Sequence, residues 1–278
     1  MGPQAASEPA RLEGIADYTF VRFLGGGAQG HYYLAVPPAR VDAPGEHVAV
    51  KVLTGIATDA RQSLTHELRI FSSVRSPYLV TLLDSGQQGT AYFYAVEYHP
   101  LGSLAAPARE LSRAETLGAM ADAARGAHAL HEASPPIVHR DIKPSNILLD
   151  EDGAKLSDLD LTHILSPGQT VSAMGSVQSV EFIDPQQIHG APPSPAFDVW
   201  GLGATLHWAL TGRSIYGEPP ADPLSVVRTV LNEAPRPDPS RRPGEAALIG
   251  ACLDRNPAER PPSALAFAEE VDRLLAQT

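Results

Sequence analysis

Alternating apolar and polar positions dominate the first hundred residues. Tyr18-Thr19-Phe20-Val21-Arg22-Phe23-Leu24 is rich in aromatic and β-branched residues and runs into Gly25-Gly26-Gly27-Ala28-Gln29-Gly30. The strand pattern resumes from His31 to Val36, breaks in the Pro-containing stretch 37–46, and returns from His47 to Leu53. Strand, glycine-rich turn, strand, loop and strand predict an antiparallel sheet. Between 58 and 74, Leu64, Leu68, Ile70, Phe71 and Val74 recur at near-helical spacing and predict the one obvious helix of this half. Two further β-rich runs, Leu79 to Leu83 and Ala91 to Tyr98, are separated by a turn marked by Gly86 and Gly89. Residues 1–16 carry no comparable pattern and are expected to form a flexible tail.

The texture changes after Pro100 and Gly102. Residues 112–132 are Ala-rich, with Leu117, Met120, Ala124, Ala127 and Leu130 on one face, and predict a buried helix. Short strands are expected at Ile147–Leu149 and Ala154–Leu156. An almost wholly apolar helix follows from Phe197 to Leu210, then Pro-rich loops and amphipathic helices near 245–253 and 263–275. The reading is an α+β chain: a small β-rich lobe at 17–97 and a larger helical lobe at 98–278, with a hinge near 97–102. No internal repeat is visible.

Composition narrows the class. Hydrophobic residues make up 43 % of the 278 and charged residues 19 %, enough to bury a core and too little charge for a disordered chain. The formal net charge of −11 argues against a protein held by nucleic-acid phosphates, so no nucleic-acid partner is expected. The single cysteine, Cys252, cannot form an intrachain disulfide, which fits a reducing compartment. No apolar run approaches the roughly 20 residues that span a bilayer. The expected location is the cytoplasm, either free or as the cytosolic part of a longer protein.

Three motifs carry chemistry. Gly25, Gly27 and Gly30 form G-x-G-x-x-G between two strands, where glycine lets backbone amides approach phosphates. By itself a Gly-rich hairpin is weak evidence, and because it opens no helix it does not fit a dinucleotide fingerprint. Val48-Ala49-Val50-Lys51 puts a lysine into an apolar strand beyond that hairpin. Lone strand lysines usually snorkel to solvent, but here the cation suits a phosphate, and Glu67 on the next helix is the carboxylate placed to brace it. The strongest signal is Ile137-Val138-His139-Arg140-Asp141-Ile142-Lys143-Pro144-Ser145-Asn146-Ile147-Leu148-Leu149, followed by Lys155-Leu156-Ser157-Asp158. Its Asp and Asn oxygens are hard ligands of the kind Mg²⁺ prefers, and a lysine beside them can neutralise a migrating phosphoryl group.

Taken in order, these residues resemble the eukaryotic-type (Hanks-type) Ser/Thr protein kinases, over about 17–275, and the residue usage looks bacterial. Phe197-Asp198-Val199-Trp200-Gly201-Leu202-Gly203 resembles the family's buried helix that anchors the catalytic loop through its Asp, and Asn256-Pro257-Ala258-Glu259-Arg260-Pro261 its late arginine motif. The resemblance implies a two-lobed protein-kinase-like fold that uses ATP with Mg²⁺ or Mn²⁺ to phosphorylate Ser and Thr hydroxyls of proteins. It implies that Gly25, Gly27, Ala28, Gln29 and Gly30 cover the ATP phosphates. Lys51, braced by Glu67, would hold the α- and β-phosphates. Tyr32, Ala49 and Val96 would line the adenine site, with Val96 as gatekeeper, and the backbone of Glu97 and His99 would read the adenine edge. Asp141 would orient the substrate hydroxyl, Lys143 would meet the γ-phosphate, and Asn146 and Asp158 would ligate the metal. Arg140 would pair with a phosphate in the activation segment, with Thr170 and Ser172 as the acceptors. A second copy of the chain would serve as partner for autophosphorylation in trans.

The chain departs from the family at four places. Tyr32 replaces the usual Val, and Asp158-Leu159-Asp160 replaces Asp-Phe-Gly. Asp184-Pro185-Gln186 replaces Ala-Pro-Glu, which leaves Gln186 as the expected, weaker partner of Arg260. The run from Gly175 to Gln186 is longer than usual, so Ser176 or Ser179 is expected to face Asp141 and Lys143. These changes support one rival, a pseudokinase acting as a nucleotide-binding or docking module. A small-molecule phosphotransferase is a weaker rival, since such enzymes usually lack Lys143 and the Asp198-x-Trp200 helix.

Overall fold

A computed structural model of the chain describes residues 13–27, 30–53, 68, 72–158, 177–218, 222–238 and 240–277. These residues cluster into two compact units, one from 1–58 with 81–98 and one from 59–80 with 99–278.

The first unit is built on a six-stranded antiparallel sheet in the order β1-β2-β3-β4-β6-β5. Its strands are β1 (Gly14–Ile15), β2 (Tyr18–Gly27), β3 (Gly30–Val36), β4 (Val48–Leu53), β5 (Leu82–Gln88) and β6 (Ala91–Glu97). The expected tail of 1–16 is too long. Gly14 and Ile15 pair with Thr19 and Tyr18, and Ile15 is buried beside Tyr18, Tyr33 and Phe93. The turn between β1 and β2 is made by Ala16 and Asp17, both at positive φ. In β4, Val48, Val50 and Val52 face this core, so the period of two sends Ala49, Lys51 and Leu53 to the opposite face. That alternation is what sets Lys51 beside its cross-strand neighbours.

The strand expected at Leu79 to Leu83 is displaced. β5 starts at Leu82 and runs on through the polar stretch to Gln88, because an edge strand tolerates polar, exposed positions. Leu79 instead bridges Leu156 in the second unit, where Tyr78 carbonyl accepts from Leu156 N–H (2.9 Å) and Val80 N–H donates to Leu156 carbonyl (3.0 Å). These bonds put 78–80 with the second unit rather than with the 17–97 lobe of the sequence reading. Of the helix expected at 58–74, only residues 68 and 72–74 are described.

The second unit packs helices around Trp200. Its described helices are α1 (Arg113–His131), α2 (Pro185–Ile188), α3 (Pro195–Thr211), α4 (Pro223–Asn232), α5 (Pro243–Cys252) and α6 (Ala264–Ala276). Helix α1 starts with a capping box: Ser112 Oγ accepts from Glu115 N–H, and Glu115 Oε2 accepts from Ser112 N–H (2.8 Å). Its Ala-rich face lets neighbouring backbone approach closely, and a Cβ on Gly126 would lie 2.6 Å from Tyr78 carbonyl. Helix α3 is apolar nearly all round and is buried accordingly, with Trp200, Leu202 and Leu206 fully enclosed. A small four-stranded sheet, β10-β9-β7-β8, carries the loop chemistry; its strands are β7 (Gly102–Ser103), β8 (Ala106–Pro107), β9 (Ile147–Asp150) and β10 (Gly153–Leu156). The β7–β8 hairpin and helix α4 were not anticipated. Among the described residues, no helix is long and apolar enough to cross a membrane.

Candidate active site

In the first unit, the Gly-rich segment is a β2–β3 hairpin in which Gly25, Gly26 and Gly27 pair with Tyr32, His31 and Gly30. Gly30 has φ +138°, and a Cβ there would lie 2.3 Å from Val52 carbonyl, so this position excludes any side chain. Ala28 and Gln29, at the hairpin tip, lie outside the described residues. Lys51 is 5 % exposed and flanked across the strands by Tyr32 on β3 and Tyr94 on β6. Ala49 pairs with Val96, both buried. Glu97 N–H donates to Thr81 carbonyl (3.2 Å). In the second unit, His99 carbonyl accepts from Gly102 N–H (3.2 Å).

The catalytic-loop residues converge within the second unit. Lys143 Nζ donates to Asp141 Oδ2 at 2.6 Å, and Asn146 Nδ2 donates to Asp141 carbonyl (2.8 Å) and Oδ2 (3.1 Å). Asn146 Nδ2 also reaches Asp158 carbonyl at 3.5 Å. A 3₁₀ turn at Pro144–Asn146 presents Asn146, and β9 begins immediately after it. Ser157 N–H donates to Asn146 carbonyl (2.8 Å), and His139 Nε2 donates to Ser157 carbonyl (2.9 Å). Asp141, Asn146 and Asp158 are therefore tied by backbone and side-chain bonds to one another. Arg140 and Asp158 both sit at positive φ, +67° and +62°. Asp adopts this region more readily than most residues; for Arg the strain is held by its neighbours.

Asp198, on α3, does the holding. Its carboxylate accepts from His139 N–H (2.8 Å) and Arg140 N–H (2.7 Å), and His131 Nε2 at the end of α1 donates to it at 2.7 Å. A fully buried carboxylate is stable only when its lone pairs are met. Three donors meet them here, and two are backbone N–H groups of the His139–Arg140 segment that leads into Asp141.

A family profile described as protein kinase domain matches residues 18–271, nearly the whole chain. The chain belongs to the protein kinase family. It is 33 % identical over 267 residues to the serine/threonine-protein kinase PknK of Mycobacterium tuberculosis, covering 92 % of this chain and 23 % of that protein. It is 29 % identical over 275 residues to the probable serine/threonine-protein kinase PkwA of Thermomonospora curvata, covering 96 % of this chain and 35 % of that one. The serine/threonine-protein kinase PknA of Mycobacterium tuberculosis is 30 % identical over 275 residues, which covers 93 % of this chain and 61 % of PknA. This kinase domain thus spans only part of the length of each relative.

The donor set of the kinase domain fits a hard divalent cation. Asn146 directs its amide N–H groups to Asp141 and to Asp158 carbonyl, while its carbonyl oxygen accepts from Ser145 Oγ (3.3 Å); that oxygen and the Asp158 carboxylate are the hard oxygen donors the two residues would offer a cation. Among the described residues no cluster of three or more His, Cys, Asp or Glu could hold a metal by itself. Two oxygen ligands completed by substrate phosphates are the usual way Mg²⁺ is held.

One expectation of the sequence reading is overturned. Arg260 does not pair with Gln186. Its guanidinium donates to Asp184 Oδ2 (2.5 Å), Ala196 carbonyl (2.7 Å) and Asp254 carbonyl (2.8 Å), and lies 5.0 Å from the Trp200 ring. Gln186 donates to Arg255 carbonyl instead (3.2 Å). Asp184 is the Ncap of α2, with its other oxygen accepting from Gln186 N–H, so the short Asp side chain reaches inward to the arginine from the start of the helix. The ionic tie is kept by a carboxylate two residues earlier. Glu67, Asp160, Thr170, Ser172 and Ser176 lie outside the described residues, as does the side chain of Ser179.

Glu181 is buried, and one of its carboxylate oxygens has no partner among the described residues. Burial pushes its carboxyl above the ordinary glutamate range, partly opposed by a hydrogen bond from Ser214. The unfolded chain therefore releases this proton at lower pH than the folded one. Stability falls as pH rises through that window and stays lower above it. Glu181→Gln should be more stable than the wild type at neutral and higher pH and match it below about pH 4. Urea midpoints across pH check this; parallel curves for the two proteins would contradict it.

Proposed function

We propose that this domain is an ATP- and Mg²⁺-dependent protein kinase that transfers the γ-phosphoryl group to Ser and Thr hydroxyls of proteins, Mn²⁺ serving as an alternative ion. The observation that carries the reading is the bonded group of Asp141, Lys143, Asn146 and Asp158, in which Lys143 and Asn146 both donate to the Asp141 carboxylate and Asn146 also reaches Asp158 carbonyl. Serine/threonine kinase names among the relatives support the acceptor class.

In this reading the Gly25–Gly30 hairpin and Lys51 hold the phosphates. The Glu97 carbonyl and His99 amide take the adenine edge, over the surface of Ala49 and Val96. Asp141 Oδ2 orients the incoming hydroxyl and accepts its proton, and Lys143 Nζ balances the charge that develops on the transferring group. When bound at Asn146 and Asp158, the metal ion supplies charge neutralisation on the phosphate oxygens. The pseudokinase rival drew support from Gln186, and that support is gone because Asp184 keeps the buried ion pair.

The test is intact mass after incubation of the chain with MgATP. The expected result is mass gained in steps of one phosphate, at a rate that rises with the square of protein concentration, because one copy modifies another. The acceptors should fall within 166–179, with Thr170 and Ser172 foremost, where a phosphate would gain charge-assisted bonds from Arg140. No mass gain, on the chain or on an added basic protein, would remove the catalytic reading.

A further inference from the structure

Tyr32, Lys51 and Tyr94 stand side by side on three adjacent strands, since Lys51 on β4 is the register partner of Tyr32 on β3 and of Tyr94 on β6. The Lys51 ammonium lies 4.9 Å from the Tyr32 ring centroid and 5.8 Å from that of Tyr94. The two rings meet edge to face, with centroids 6.4 Å apart at 85°, and their hydroxyls are hydrogen-bonded at 3.1 Å. The hydroxyl bond ties the two rings together, and Lys51 and Tyr94 are both buried.

This geometry has a chemical consequence. A lysine side chain carries large rotamer freedom, which a ligand must otherwise freeze on binding. An aromatic face attracts the ammonium through its quadrupole without neutralising it. The rings add direction to the lysine without taking away any of its charge.

We propose that Tyr32 and Tyr94 are positioning residues for Lys51, holding its ammonium so that nucleotide phosphates meet a cation already aimed. The proposal rests on the reading of Lys51 as a phosphate ligand. It gives Tyr32 a role different from the narrowing of the adenine site suggested by its bulk, and it adds Tyr94, which no motif singled out.

The test is a double-mutant cycle read by calorimetric titration of the 278-residue chain with MgADP, which contains both phosphates that Lys51 would hold. In the wild-type background, Tyr94→Leu and Tyr32→Leu should each weaken binding about fivefold to tenfold, and Tyr94→Phe, which keeps the ring, should lie close to wild type. In the Lys51→Met background the same Leu substitutions should change affinity by less than about twofold, since there is no cation left to position. Equal losses in both backgrounds, or tighter binding when a ring is removed, would overturn the clasp. Lys51→Met that binds MgADP like the wild type and still transfers phosphate would overturn the reading of Lys51 itself, which is a different result. If buried Tyr94→Leu fails to fold, Tyr32→Leu at its half-buried position decides the matter alone.

Discussion

Asp158→Asn should purify as a folded chain that transfers phosphate at least about a thousandfold more slowly than the wild type. Asn is the informative replacement because Asp158 sits at φ +62°. Asn enters the left-handed region almost as readily as Asp, whereas Ala there adds about 1–2 kcal/mol of backbone strain unrelated to chemistry. The substitution keeps an oxygen ligand and removes the negative charge, so the loss reports the charge. In phosphoryl transfer most of the rate comes from positioning and charge neutralisation, and removing the anionic metal ligand strikes both. Asp141→Asn should fall by a similar factor for a different reason. It keeps the side-chain length that Lys143 and Asn146 grip but can no longer accept the hydroxyl proton. Circular dichroism and melting temperature should match the wild type in both. Either variant with wild-type activity in a single-turnover assay would sink the assigned roles.

Arg260→Leu should cost about 3–5 kcal/mol of stability, a large share of the 5–15 kcal/mol typical of a folded domain. The reason is the Asp184 carboxylate, whose side chain, like that of Arg260, is 0 % exposed. Without the guanidinium, a buried anion is left with only the Gln186 amide. Asp184→Asn tests the same pair from the other side, because Asn still caps α2 but leaves the arginine unbalanced between two carbonyls and the Trp200 ring. The double replacement Asp184→Leu with Arg260→Leu should recover part of the loss, as buried pairs exchanged together for apolar residues often do. Gln186→Ala should cost no more than about 1 kcal/mol, the value of its single bond to Arg255 carbonyl. Denaturant melts of the four proteins check the ordering. A Gln186→Ala loss as large as that of Arg260→Leu would return the pairing to Gln186.

Much of the helical unit was legible because its signals are local. The Ala-rich run ahead of His131 carries its cap at Ser112 and its box at Glu115, and α1 begins where those residues say. Helix α4 carries an equally local signal. Asp222-Pro223 is an Ncap followed by Pro at the first helical position, the same signature as Asp184-Pro185 and Ser194-Pro195, yet the prolines in that stretch read as loop. The β5 boundary failed for another reason. Its apolar residues, Leu79 and Val80, were spent on Leu156 in the second unit, and the strand itself took the polar residues that follow.

The sequence by itself determined which candidate groups for phosphoryl transfer the chain carries and the order in which they occur: Gly25 to Gly30, Lys51, Asp141 to Asn146 and Asp158, each set close together along the chain and so legible as a local pattern. Tertiary structure alone decided who touches whom across the chain. Nothing in the spacing tells that Asp184 rather than Gln186 meets Arg260, since both residues lie within the span of one helix start, and the choice depends on which side chain points into a space closed by Trp200 and Ala196. Nothing tells that Tyr94 reaches Lys51, because that neighbour is set by the register of β4 on β6, and a shift of one residue would have sent the ring to the other face. Local chemistry is written in the sequence. Contacts between distant segments depend on register and on the shape of a packed interior, which become fixed only when the whole unit folds.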